Sequence, residues 1–186
     1  MHLTIGGRTL NYVTSLPSFK FDDMDDPEKD NPPNIETEPM FIIGWREWVG
    51  LPDLNVRQIK AKIDTGARSS SIHAFDVETY MQDDIERVRF SIHPFQNRDD
   101  VHINADVPIL ERRHVRSSNG EVAERIVIRT QLEILQRRAF VDLTLANRDA
   151  MGFRMLVGRE AIRNHFLVDP AASFLAGRHH RRKKRR

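Results

Sequence analysis

The sequence predicts a single all-β domain set between two ends of opposite charge. Three observations carry this. Apolar residues recur with period two from Met40 to about Pro170, clusters of turn residues separate the runs, and the spacing of a helix is almost absent. With 186 residues, 39% of them hydrophobic, the chain can bury one ordinary core but not two. Seven short runs in one domain predict a closed or sandwich-like β architecture.

Residues 1–39 hold three cations against eight acids, several prolines and few apolar side chains. Such a segment cannot offset the entropy lost on ordering it, so it is expected to be a disordered acidic leader. The folded domain is expected at 40–177. Its runs are FIIGWREWVGLP, VRQIKAKID, ERVRFSIHPF, VHINADVPIL, ERIVIRTQLEIL, RAFVDLTLA and FRMLVGRE, all rich in Val, Ile, Phe and Thr. Asn119-Gly120, between HVR and ERIVIRT, is the strongest short hairpin signal in the chain. The segment REAIRNHF after Gly158 has the spacing of one short C-terminal helix, and residues 76–84 are expected to hold about a turn of another. Residues 178–186 form a basic tail with seven Arg and Lys and no acid, which is expected to be solvated, with RNA or ribosome contact as its possible use.

Composition also removes function classes. There is no cysteine, hence no disulfide framework, thiol nucleophile or thiolate metal site. The histidines are scattered without His-Glu-x-x-His or other ligand spacing, and His179-His180 lies in a tail that repels cations, so no metal is expected. No phosphate-binding glycine loop occurs, so no cofactor is expected either. No run approaches the ~20 apolar residues of a membrane span and no export signal opens the chain, which predicts a cytoplasmic protein without membrane contact.

One stretch resists a purely structural reading. In KIDTGARSSSIHA, Ile59, Ala61 and Ile63 alternate with Lys60 and Lys62 as a half-buried strand does, and Asp64 stands where that strand meets a glycine turn. A carboxylate is costly to desolvate, so the fold must either display it or use it. A second apolar strand, FRMLV, likewise ends on a glycine, Gly158-Arg159, and runs into the predicted helix.

Asp64-Thr65-Gly66-Ala67, the turn around Asn119-Gly120 and Leu156-Val157-Gly158-Arg159, in this order, resemble the retropepsin-like aspartic peptidases. KIDTGARSSSIHA, VRSSNGEVAERIVI, LTLANRDAMGFRMLVGREAI and FLVDP are similar to the blocks of a bacterial family known as ATP-dependent zinc proteases or RimK-associated glutamyl peptidases. The resemblance implies a small closed retropepsin-like barrel and an aspartic endopeptidase that trims oligo- or polyglutamate from a ribosomal small-subunit protein. It also implies functional association with an ATP-grasp glutamate ligase. One Asp-Thr-Gly per chain supplies half a site, so two Asp64 carboxylates must meet across a homodimer axis, with Thr65, Gly66 and Ala67 shaping the loop. Gly158 and Arg159 would brace it. A glutamate-rich substrate calls for cations, and Arg68, Arg116 and Arg125 with Asn119 and Gly120 are the first candidates; Lys62, Arg112, Arg113, His114 and Arg129 lie nearby in sequence. The rival reading is a non-catalytic retropepsin-like module, anchored to RNA or a ribosome by its basic tail.

Overall fold

The computed structural model describes residues 2–5, 8–11, 40–96, 98–116, 122–146 and 152–177. In chain order the strands are β1 (His2–Ile5), β2 (Arg8–Asn11), β3 (Met40–Gly44), β4 (Arg46–Leu51), β5 (Val56–Asp64), β6 (Ser70–His73), β7 (Phe75–Gln82) and β8 (Ile85–Ile92). They continue with β9 (Ile103–Pro108), β10 (Glu111–Arg116), β11 (Val122–Ile134), β12 (Arg137–Ala146), β13 (Met155–Gly158) and β14 (Phe166–Asp169). A four-residue helix, α1 (Arg159–Ile162), follows β13 where the sequence places its helix. The all-β expectation holds.

The main sheet runs β10-β11-β12-β6-β13-β5-β4, and β11 also pairs with β4 through Glu133 and Gly50, so the sheet closes on itself. Closure leaves one interior, filled by inward residues of β4, β5, β6, β11, β12 and β13: Leu51, Ile59, Ile72, Ile128, Leu143 and Met155 are all fully buried. Each such side chain contributes roughly 1.5–3 kcal/mol of hydrophobic stabilisation. On β5 the alternation seen in the sequence is literal, with Ile59, Ala61 and Ile63 inside and Lys62 exposed. The ring also fixes the site. β5 and β6 follow each other in the chain but are not paired; β13 enters between them, parallel to β5 and antiparallel to β6.

FIIGWREWVGLP, one run in the sequence, is two strands in two sheets. β3 joins β14 and β1 in a second sheet, and the chain bends at Trp45 into β4 of the ring. The bend is held by the fully buried carboxylate of Glu47. It accepts backbone N–H bonds from Gly44 (2.7 Å), Leu175 (2.9 Å) and Ala176 (3.1 Å), tying the end of the domain to its beginning. Only glycine fits at 44, because a Cβ there would lie 2.4 Å from the Ala172 carbonyl oxygen.

Two expectations are corrected. Residues 75–82 form β7 instead of a helical turn. Asp83 and Asp84 both take positive φ (50° and 60°), making the two-residue hairpin turn that joins β7 to β8, so these acids reverse the chain where they were read as part of a helix. The β7-β8-β9 sheet is inserted between β6 and β10 in the chain. Within the acidic leader, β1 and β2 pair as a hairpin, with β1 beside β3 through Leu3 and Met40. Its remainder, residues 12–39, and the basic tail, 178–186, lie outside the described residues.

One ion cluster on the inserted sheet makes stability depend on pH. The Tyr80 hydroxyl donates to both carboxylate oxygens of Asp106 (2.8 and 2.6 Å), and Arg89 and Arg87 each donate through Nε at 2.9 Å. These donors, Tyr80 first and Arg89 next, hold the Asp106 carboxyl down to about 2. The folded value lies below the ordinary ~3.9 of an aspartate, so the stabilisation is complete above about pH 4 and disappears as pH falls toward 2. Urea unfolding should show Asp106→Asn less stable than the native chain at neutral pH, and the difference should shrink at about pH 2.

Candidate active site

β5 carries Asp64 out of the core at its last position. There the chain turns sharply, and the Asp64 side chain bends back over its own loop: Oδ1 accepts the N–H groups of Gly66 and Ala67, both at 3.1 Å. Two donors on one oxygen fix the carboxylate's direction, while Thr65 and Gly66 stay exposed. A side chain at 66 would crowd that oxygen, since its Cβ would stand 3.3 Å from Asp64 Oδ1. Asp64 is half-buried, reachable from solvent at the mouth of the ring.

The second motif clamps the loop from the other side. Gly158, the last residue of β13, is the cross-strand partner of Asp64, and its N–H donates to the Ser70 hydroxyl (3.2 Å). The first N–H groups of α1 are used as well, Arg159 donating to the Ala67 carbonyl (2.9 Å) and Glu160 to that of Arg68 (3.2 Å). The Arg159 guanidinium reaches the Gly66 carbonyl at 3.2 Å. Arg159 therefore holds the loop through both its N–H and its side chain. Ser70 was missed, because nothing in Ser69-Ser70-Ser71 distinguishes the one hydroxyl that turns inward.

The two strands on either side of the Asn119-Gly120 segment, β10 and β11, pair antiparallel, so that Arg113 faces Arg125 and Arg116 faces Val122. Arg125 is half-buried on that hairpin. The side chain of Arg116, together with Asn119 and Gly120, lies outside the described residues. Arg68 follows the Asp64 loop directly and approaches Glu160 at 4.0 Å. Arg112 is committed elsewhere: it pairs with Glu86, which raises its pKa, and with Glu124 at 3.5 Å. Arg113, which donates to Glu111, and Arg129 also converge on Asp142, an acid that interrupts the apolar run of β12.

Three histidines that look scattered in the sequence come together. Phe75 stacks on His93 with centroids 4.2 Å apart, and His73 and His102 flank that pair at 6.1 and 6.4 Å from Phe75. His73, Phe75 and His93 meet as ring faces and His102 meets Phe75 edge-on, and among the described residues no group of three or more His, Asp or Glu is placed to hold a metal ion. Among the described residues no helix is long and apolar enough to cross a membrane.

A self-closing β ring, split by one inserted strand to present an Asp-Thr-Gly loop against a Gly-Arg strand end, defines a retropepsin-like protein. The chain belongs to the RimB-like family of retropepsin-like aspartic endopeptidases, whose sequence profile matches residues 42–179. A Legionella pneumophila protein of unknown function has a crystal structure that superposes with a TM-score of 0.62 at 25% identity, covering 73% of this chain and 97% of that one. Probable alpha-L-glutamate ligases are also similar. Those of Shewanella halifaxensis and Parasynechococcus marenigrum are 44% and 45% identical over 137 residues, 74% of this chain. The chain spans about 30% of the length of these relatives.

The tightest point of the site is Gly158, where an added Cβ would lie 2.5 Å from the backbone carbon and oxygen of Ser69. Backbone cannot move aside as a side-chain tip can. Gly158→Ala should therefore destabilise the protein by about 1–3 kcal/mol or more and disorder the Asp64 loop, seen as a lower thermal midpoint and faster amide exchange at Gly66 and Ala67.

Proposed function

We propose that the protein is an aspartic endopeptidase whose active site forms when two chains bring their Asp64 loops together. The observation that carries this is the Asp64 carboxylate, aimed by two backbone N–H groups in an exposed loop that β13 and α1 lock in place. Peptide hydrolysis by this chemistry needs two carboxylates sharing one proton, one drawing a proton from water while the other donates to the carbonyl oxygen of the scissile bond. A twofold axis at the loop supplies the second carboxylate from an identical patch.

The substrate we propose is oligo- or polyglutamate, including chains added to a ribosomal small-subunit protein. Support comes from relatives named as glutamate ligases, in which a segment like this one is part of the same, longer polypeptide. An enzyme that removes glutamate would act as the counterpart of an ATP-grasp ligase that adds it.

Asp64→Asn should lower cleavage of glutamate peptides by about 10³-fold or more while leaving circular dichroism and sedimentation unchanged. Specific activity of the native chain should rise with protein concentration as dimers form, and chelators should leave it unaltered. Native turnover in Asp64→Asn, or loss of activity on chelation, would refute the mechanism; a native protein that cleaves no peptide would favour a binding module.

A further inference from the structure

Beside the Asp64 loop lies a cavity of about 270 Å³. Its walls come from three places: the loop itself through Arg68 and Ser69, the start of α1 through Glu160, and the hairpin sheet through Arg113, Arg129 and Asp142. We infer that this cavity is a carboxylate-binding subsite in which Arg68, Arg113 and Arg129 take an acidic side chain of the bound peptide some residues away from the scissile bond. The inference rests on the glutamyl-peptidase reading and deepens it, selecting from the candidate cations the three that share one cavity.

The arrangement of charge is the first argument. Asp142 gathers two guanidiniums from different strands: Arg129 donates to its Oδ1 through both Nε (2.9 Å) and Nη2 (2.8 Å), and Arg113 Nη2 lies 4.0 Å from Oδ2. With the partners just outside the lining included, Glu111 on Arg113 and Arg163 on Glu160, four arginines face three acids, so the cavity keeps a positive excess. In two of the pairs the cation is the more exposed partner, Arg129 at 56% against 32% for Asp142 and Arg68 at 78% against 42% for Glu160. An incoming group meets guanidinium first, and each guanidinium has five N–H donors of which these acids occupy few. The 4.0 Å contact between Arg68 and Glu160 is a loose surface pair that can rearrange at little cost.

Size and surroundings identify the guest. The cavity falls below the roughly 300–1,000 Å³ that encloses a drug-sized ligand, so it suits a side chain instead of a free cofactor. Phe140, 69% exposed, offers an apolar wall at its rim for the methylenes of a glutamate. Location matters most. The Arg68 carbonyl is bonded to the Glu160 N–H, and Arg68 stands four residues beyond Asp64, so the cavity is rigidly attached to the loop that carries the carboxylate. In a twofold dimer one cavity lies on each side of the dyad, and a longer acidic chain reaches more arginines than a short one.

The test uses uncleavable complexes. Full-length protein carrying Asp64→Asn is titrated calorimetrically with diglutamate and octaglutamate, alone and with Arg113→Ala, Arg129→Ala, Arg129→Lys or Arg138→Ala. Octaglutamate should bind far more tightly than diglutamate. Arg113→Ala and Arg129→Ala should each weaken octaglutamate binding about tenfold, the effect of losing a charge-assisted hydrogen bond. Arg129→Lys, which keeps the charge but loses the planar fork, should fall between. Arg138→Ala removes the same charge from β12, where Arg138 pairs with Glu133, and should change binding less than twofold. Thermal unfolding of each variant separates a binding defect from a folding one, and the two alanine variants stand independently. Equal losses in Arg138→Ala and Arg129→Ala, or none in Arg113→Ala and Arg129→Ala, would overturn the subsite while leaving the peptidase reading intact. Octaglutamate binding that depends on Arg129, in a native protein that fails to cleave it, would uphold the subsite and refute the peptidase reading. Absence of octaglutamate binding would remove both.

Discussion

The structure depends on one insertion: β13 wedged between β5 and β6. Two strands that follow each other in the chain would ordinarily pair as a hairpin, and the turn between them would close. Here the connection has to stretch around the end of a third strand, so residues 65–69 form an open loop whose carbonyls accept from α1 and whose Gly66 and Ala67 N–H groups donate to the Asp64 side chain. The wedge is apolar and fully enclosed at Met155 and Val157, which gives the hydrophobic effect reason to keep it in place. Its parallel register with β5 brings Gly158 level with Asp64, and the core therefore sets the geometry of the loop.

This explains what could be read from the sequence. Alternation on β5, β8 and β12 is a local property, so those strands were visible, as were Asp64-Thr65-Gly66 and Gly158-Arg159 at the strand ends. Contacts between distant segments were not. The break at Trp45 depends on Glu47 meeting Leu175 and Ala176, more than a hundred residues away. The convergence of Arg113 and Arg129 on Asp142 depends on the register of β11 with β12, set by a turn in which Leu135 and Gln136 both have positive φ (51° and 64°) without the usual glycine or asparagine. β7 was obscured because acids at positions 76, 83 and 84 suit a helix terminus as well as a tight turn.

The arginines fall into two kinds that composition cannot separate. Arg112 sits between two glutamates and joins the inserted sheet to the hairpin, a structural use. Arg113, the next residue, points to the other face of β10, as successive residues on a strand must, and belongs to the cavity. A one-residue slip of the β10 and β11 pairing would exchange the two, so the electrostatics of the cleft is a consequence of strand register.

The first and last strands of the domain, β3 and β14, lie side by side in parallel, with Phe41 level with Phe166 and Gly44 with Asp169. Tension applied to the two ends would draw β3 and β14 along each other in opposite directions and load their whole ladder at once, where a hairpin would peel open bond by bond. The Glu47 clamp adds two further bonds across the same seam. Forced unfolding is governed by the barrier to the first rupture, so this seam makes the domain resistant to mechanical extraction by machines that thread polypeptides from one end.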